Sequence, residues 1–138
     1  MADLTITAAN VVSTGTVETY TAGGTLTRGL AVRLNASNQV VAASDDSAAN
    51  AAAFGYSLSD VASGQRALVH KGGDINLGAT LSLGKVYVLS TSGATAPVDD
   101  IAGGEYVTIM GVAKSASVLA MPNGGPLQSG VAAAAAVT

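Results

Sequence analysis

Along "TLTRGLAVRL", Thr25–Leu34, the residues Leu26, Leu30, Val32 and Leu34 fall on one parity and Thr25, Thr27, Ala31 and Arg33 on the other. A strand turns successive side chains to opposite faces, so this alternation predicts one buried and one wet face. In "TLSLGKVYVL", Thr80–Leu89, the inner parity is Leu81, Leu83, Tyr87 and Leu89, but Val86 and Val88 make the other face apolar as well. That strand is expected to be covered on both sides, by a loop or, preferably, by a neighbouring subunit. The two stretches are 55 residues apart, and across Ala22–Ser37 and Leu77–Ser92 six of sixteen positions are identical: Gly23/Gly78, Thr25/Thr80, Leu26/Leu81, Gly29/Gly84, Leu34/Leu89 and Ser37/Ser92.

The same kind of pattern continues along the chain. Leu4–Ala8, "LTITA", is a short alternating arm, and Val17–Tyr20 is a second short strand. The first repeated strand returns through "NASN" to Val40–Ala43. "SDDSAANAAA", residues 44–53, reads either as a helical turn capped by Asp45 or Asp46 or as a loop. "FGYSL" (54–58) and "RALVH" (66–70) read as strands, and "KGGD" (71–74) as a tight turn that uses glycine at positive φ. After the second repeated strand comes a long connection, 91–104, then a strand pair in "EYVTIMGVAKS" and "SVLAM". The stretch from Pro122 to Thr138, with Pro, Gly and then Ala, reads as an extended or frayed tail.

Short Val- and Thr-rich runs broken by Gly and turn formers predict an all-β fold, a small antiparallel β-barrel or β-sandwich. Residues 1–21 form an arm and leading strand, 22–121 the β domain and 122–138 an irregular Ala-rich tail. "AAFGYSL" around Gly55 resembles "TIMGVAK" around Gly111, 56 residues later, so two halves of about 55 residues are one reading. The other is that Gly-turn-Val-Leu hairpins look alike in any β protein.

Composition narrows the function. A chain of 138 residues is one domain by size and buries roughly two thirds of its unfolded surface. Leu, Ile, Val and Phe make up 33 residues, enough to fold but a thin core, so subunit contacts are a plausible further source of stability. There is no Cys, which removes disulfides, thiolate metal sites and cysteine nucleophiles. A net charge of −3, with only six scattered Lys and Arg, argues against nucleic-acid binding. Asp3 stands where a signal peptide needs basic residues, and no run approaches the roughly 20 apolar residues of a membrane span. A protein made in a cytoplasm, acting away from membranes, is the expectation.

Catalytic patterns are thin. His70 is the only histidine, so HExxH-type ligation has no residues to use. A Ser-His-Asp set with His70 and Asp74 lacks a G-x-S-x-G elbow, and His70 reads better as a strand end. "GATLSLGK", Gly78–Lys85, imitates a phosphate loop, but it has five residues between its glycines and Val86 where Ser or Thr would reach magnesium. Asp45–Asp46 and Asp99–Asp100 read as solvated turns rather than as cation or acid–base sites, and "NAS" at 35–37 as a hairpin turn. No catalytic, metal or cofactor residue is expected, and the chain is not read as an enzyme.

The succession "AGGTLTRGLAVRLNASNQVVAAS", "FGYSLSDVASGQRALVHKGGDI" and "GATLSLGKVYVLSTSGATAPVDDIAGGEYVTIMGVAKSASVLAM" resembles tailed-bacteriophage head decoration, or capsid cement, proteins. Its closest segment is "GVAKSASVLAM", Gly111–Met121, and the likeness spans about residues 22–121. The resemblance implies a non-enzymatic β domain on the outer capsid surface of a virion, commonly a trimer, that clamps neighbouring subunits of the major capsid protein. Within it, the arm Asp3, Leu4, Thr5, Ile6 and Thr7 is the candidate capsid contact by β-addition, or else an edge strand of its own barrel. Val86 and Val88 are the candidate subunit contact. The rival class is a tail, fibre or surface-layer module binding a glycan or another protein, for which only Tyr20, Tyr56, Tyr87 and Tyr106 offer aromatic platforms.

Overall fold

The computed structural model describes residues 3–123 and 125–132. The chain is all-β and antiparallel. Its strands are β1 (Val11–Ser13), β2 (Thr16–Thr21), β3 (Ala31–Leu34), β4 (Val40–Ala42), β5 (Gly55–Ser57), β6 (Arg66–Leu77), β7 (Val86–Leu89), β8 (Thr95–Pro97), β9 (Tyr106–Ala113), β10 (Val118–Met121) and β11 (Leu127–Ala132). Among the described residues the helical content is three single 3-10 turns, at Ala8–Asn10, Thr91–Gly93 and Val98–Asp100. No helix among the described residues is long and apolar enough to cross a membrane.

The internal repeat is structural. The main sheet path is β4-β3-β5-β6-β10-β9-β7-β8, which reads the same from both ends once β4, β3, β5 and β6 are matched to β8, β7, β9 and β10. The registers match too. Val32 pairs with Ala42 and Gly55, and 55 or 56 residues later Tyr87 pairs with Pro97 and Gly111. The hairpin ends agree: Asn35 N–H donates to Gln39 O (2.9 Å), and Ser90 N–H to Ala94 O (2.7 Å). Leu26 N–H donates to Val61 O (2.9 Å), and Leu81 N–H to Ala116 O (2.8 Å).

The halves differ at their seams. The first half curls until Gly23, just past the end of β2, donates its N–H to Val40 O of β4 (2.8 Å). The equivalent residues in the second half, Gly78 and Thr95, are each bonded to the arm instead: Thr7 N–H donates to Gly78 O and Leu4 N–H to Thr95 O, both at 2.8 Å. A segment that is not part of the repeat thus lies along the second seam.

Two apolar clusters fill the interior. Ala22, Leu26, Val32, Val40, Ala67 and Val69 form a core within the first half. The larger cluster joins Tyr87, Leu89, Met110 and Leu119 of the second half to Ala31, Ala53, Tyr56 and Ile75 of the first, with Tyr56 Oη 2.8 Å from Thr95 Oγ1. The halves are therefore packed together rather than strung in line.

Several expectations are corrected. "KGGD" is not a turn: β6 runs through it, bending where Gly73 takes φ +85° and where the β2 pairing slips between Gly72 and His70. The repeated strands are shorter than their alternation suggests, because turns at Gly29 and Gly84, both at positive φ, precede β3 and β7. Parity counted across those turns fails, so Leu83 stands 76% exposed, whereas Ala31 is fully buried beneath the second half. The tail is not wholly irregular, since Leu127–Ala132 pairs with β9; residues 133–138 lie outside the described residues. Of the two readings of residues 44–53, the loop stands: they form a run of turns, with Ala51 N–H donating to Ser47 O at 2.9 Å.

Candidate functional site

Alternation in the arm sorts its side chains as a strand would, although no strand forms there. Leu4 and Ile6 are half-buried against the larger core, while Asp3, Thr5 and Thr7 face solvent. The exposed 3-10 turn Ala8–Asn10 then leads into β1. The five arm residues are thus brought together as one segment, with their apolar side taken up by the chain's own body. Beside them an open groove of about 560 Å³ is lined by the hydroxyl and amide groups of Thr5, Thr7, Asn76 and Thr80 and by the apolar Val12 and Ala79, with no charged side chain.

Val86 and Val88 do not share a surface. Val88 is buried within the chain (1% exposed), and the subunit-contact reading is corrected for it. Val88 pairs with Ala96 of β8 and Ile109 of β9, and beyond β8 the turn Val98–Asp100 is tied beside the start of β7 by Lys85 Nζ to Asp99 Oδ2 at 3.2 Å. The ion pair also holds the Asp99 carboxyl below its usual range. Double cover of β7 was expected, and at Val88 it is the chain itself that supplies it.

Val86 does reach an outer face. It pairs with Val112, which pairs with Ala120, so the three share one side of the sheet. Val118, next but one to Ala120, pairs with Asn76, which in turn pairs with Val12. Val112 is 41% exposed and Val12 56%. Sequence reading missed Val12 and Val112; the available signal was the Gly55/Gly111 match, which sets Val112 opposite Val86 once the register is drawn.

Two polar clusters remain. His70 is fully buried; its Nε2–H donates to the Gly73 carbonyl (3.0 Å), leaving Nδ1 to accept from the Ser13 hydroxyl (2.6 Å). Burial holds its pKa below the usual histidine value, against opposing contributions from the Gly73 carbonyl and Asp74. A triad would have a carboxylate at the ring nitrogen that here meets a backbone carbonyl. The pair instead fastens the β1–β2 corner, where Gly15 N–H donates to Ser13 Oγ (3.2 Å), onto the bend of β6.

Asp45 was expected in a solvated turn and is instead 3% exposed. Its Oδ1 accepts from Thr91 Oγ1 (3.2 Å), its backbone carbonyl accepts from Tyr106 N–H (2.8 Å), and Oδ2 is buried without a partner. Burial and the neighbouring Glu105 carboxyl push its pKa up to about 6. The loop of the first half is thereby clasped to the second. Among the described residues no three His, Cys, Asp or Glu side chains come together as a metal site.

Tyr56 and Tyr87 are buried, Tyr20 meets Phe54 edge-on at 5.2 Å, and no aromatic residue lines the groove. No protein-family model, curated protein or solved structure matches the chain.

Proposed function

We propose that this chain is a structural virion protein that binds the outer surface of a tailed-phage capsid and stabilises the shell by bridging neighbouring subunits of the major capsid protein. The resemblance of residues 22–121 to head decoration proteins is one support. The observation that carries the reading is how the chain spends its charge. Four of its six Lys and Arg, Arg28, Lys71, Lys85 and Lys114, are ion-paired to its own Asp60, Glu18, Asp99 and Asp74. The groove beside the arm carries hydroxyl, amide and apolar groups, and on the Val86–Val112 face the carboxylate of Asp74, opposite Ala120, is taken up by Lys114. A surface of that kind suits another protein surface better than a polyanion.

Bridging needs no chemistry. A protein that binds only the assembled joint adds its binding free energy to the work of opening that joint. Asp3, Thr5 and Thr7, the outward side of the arm, together with the groove, are the assigned shell contact; the trimer is what the resemblance implies. The rival, a glycan-binding tail, fibre or surface-layer module, draws on the hydroxyl- and amide-lined groove, but lacks an aromatic platform beside it.

Co-sedimentation with undecorated capsids tests the reading. The wild type is expected to pellet with the shells, and Thr5→Arg/Thr7→Arg, which alters only exposed side chains, to stay in the supernatant. Wild-type protein that never pellets with shells would overturn the proposal; equal pelleting of both would remove the arm from it.

A further inference from the structure

Each half of the repeat carries a pair of aspartates in the loop that leaves its end strand, Asp45–Asp46 after β4 and Asp99–Asp100 after β8. The two loops treat their carboxylates differently. Asp99 is exposed and is met by Lys85 Nζ at 3.2 Å. Asp45 is 3% exposed and its Oδ2 has no partner; 55 residues before Lys85, where a matching cation would stand, is Leu30. The first half thus has the carboxylate without the positive charge.

That carboxylate is held in place. Ser44 N–H donates to Asn50 O (2.8 Å) and Asn50 Nδ2 to Asp46 Oδ1 (2.9 Å), which fixes the loop, while Ser92 N–H donates to Ser44 Oγ (3.2 Å) and joins it to the second half. Beside the Asp45 carboxyl stand the Thr91 hydroxyl, 3.2 Å from Oδ1, and the carboxyl of half-buried Glu105, within hydrogen-bond reach. Glu105 is itself fixed, with Oε1 accepting from Ala102 N–H at 2.5 Å. Among the described residues no Lys or Arg forms an ion pair with either carboxylate.

A buried charge facing a like charge needs a counter-charge or a proton. The proton serves the cation-free protein below about pH 6, where Asp45 titrates; above that the pair is largely charged and a cation is required. We propose that Asp45 and Glu105 together bind a calcium ion, which ties the first half of the chain to the second. The donors are all oxygens, two carboxylates and the Thr91 hydroxyl, which suit a hard cation. Softer metals find no ligand, since the chain has no Cys and its one His is bonded to Ser13 and Gly73. Magnesium demands a near-octahedral set, whereas calcium accepts an irregular one, and the open side of Glu105 admits water to complete it. The inference concerns the chain alone and is independent of any capsid.

Thermal unfolding of chelator-treated protein, with and without added calcium, tests it, alongside a calorimetric titration of the metal. With a dissociation constant of about 1 mM, as for weak calcium sites, about 10 mM calcium should lower the unfolding constant about 10-fold at neutral pH. Sodium chloride at equal ionic strength should give no such shift, and magnesium a smaller one. Asp45→Asn and Glu105→Gln should each lose the calcium response; Asp99→Asn, which touches only the exposed pair with Lys85, should keep it. Should Asp45→Asn fail to fold, Glu105→Gln, at a half-buried position, carries the test. A wild type that responds to calcium no more than to sodium chloride would overturn the inference. So would a response that persists in Asp45→Asn or Glu105→Gln, and an equal response to magnesium would overturn calcium as the occupant.

Discussion

Gly55 of β5 and Gly111 of β9 meet the same feature of a neighbouring strand. A methyl group on Gly55 would run into the His70 carbonyl oxygen and the Val69 side chain, and one on Gly111 would stand 2.5 Å from the Ala120 carbonyl oxygen and 3.1 Å from Leu119 Cγ. The strands approach so closely that only hydrogen fits, at the same place in each half.

Gly55→Ala and Gly111→Ala are therefore each expected to destabilise the protein by about 1–3 kcal/mol, since backbone cannot yield as a flexible side chain can. Gly24→Ala, where nothing lies within 4 Å, should stay within about 0.5 kcal/mol of wild type. Urea unfolding of the three variants measures this, and equal midpoints for all three would mean that the close approach carries no cost.

The seam gives the second prediction. Leu4→Ser/Ile6→Ser keeps the arm's length but removes its packing, and is expected to cost about 2 kcal/mol, as for two half-buried aliphatic side chains. Hydrogen exchange should show faster exchange at the Thr7 and Leu4 amides, whose acceptors are Gly78 and Thr95. Unchanged protection there would mean that the arm is held by its backbone bonds alone.

The buried Tyr56 hydroxyl binds Thr95 Oγ1 across the joint between the halves. Tyr56→Phe leaves Thr95 without this partner and should cost about 1–2 kcal/mol. Tyr56→Phe/Thr95→Val should recover part of that loss, which a double-mutant cycle by thermal unfolding would read.

Two buried groups set opposing pH dependences. The pKa of Asp45 is raised from 3.8 to about 6, so its contribution to stability is fully present below about pH 4 and is lost as pH rises through 6. The pKa of His70 is lowered from 6.5, so its contribution is present above 6.5 and is lost as pH falls below that value. Asp45→Asn removes the first and leaves the second. Its unfolding free energy should exceed that of wild type at pH 7.5 by an amount on the order of 1 kcal/mol after screening by solvent at half-exposed Glu105, read as a higher melting temperature. Its stability should then fall more steeply than wild type between pH 6.5 and 4.5. Parallel profiles for the two proteins would contradict the assignment.

The repeat was legible in the sequence because turns at Gly29 and Gly84 and close approaches at Gly55 and Gly111 need particular residues at fixed spacing. That signal is local. β6 was misread at Lys71–Asp74 because two glycines signal a turn equally well when they permit a bend within one strand. Burial of Ala31 and Asp45 depends on how one half lies on the other, which alternation within a strand does not encode. For the same reason Val88 looked like a subunit contact: two apolar faces require two covers, but the pattern does not say that the same chain buries Val88. The arm's alternation was legible, whereas its place along the second seam follows from a difference between the halves that only their registers reveal.

The most direct test of the proposed structural role is whether purified tailed-phage particles contain this chain and in what copy number, by quantitative mass spectrometry against the major shell protein. The account predicts copies comparable to the shell protein. A few copies per particle, or none, would contradict it.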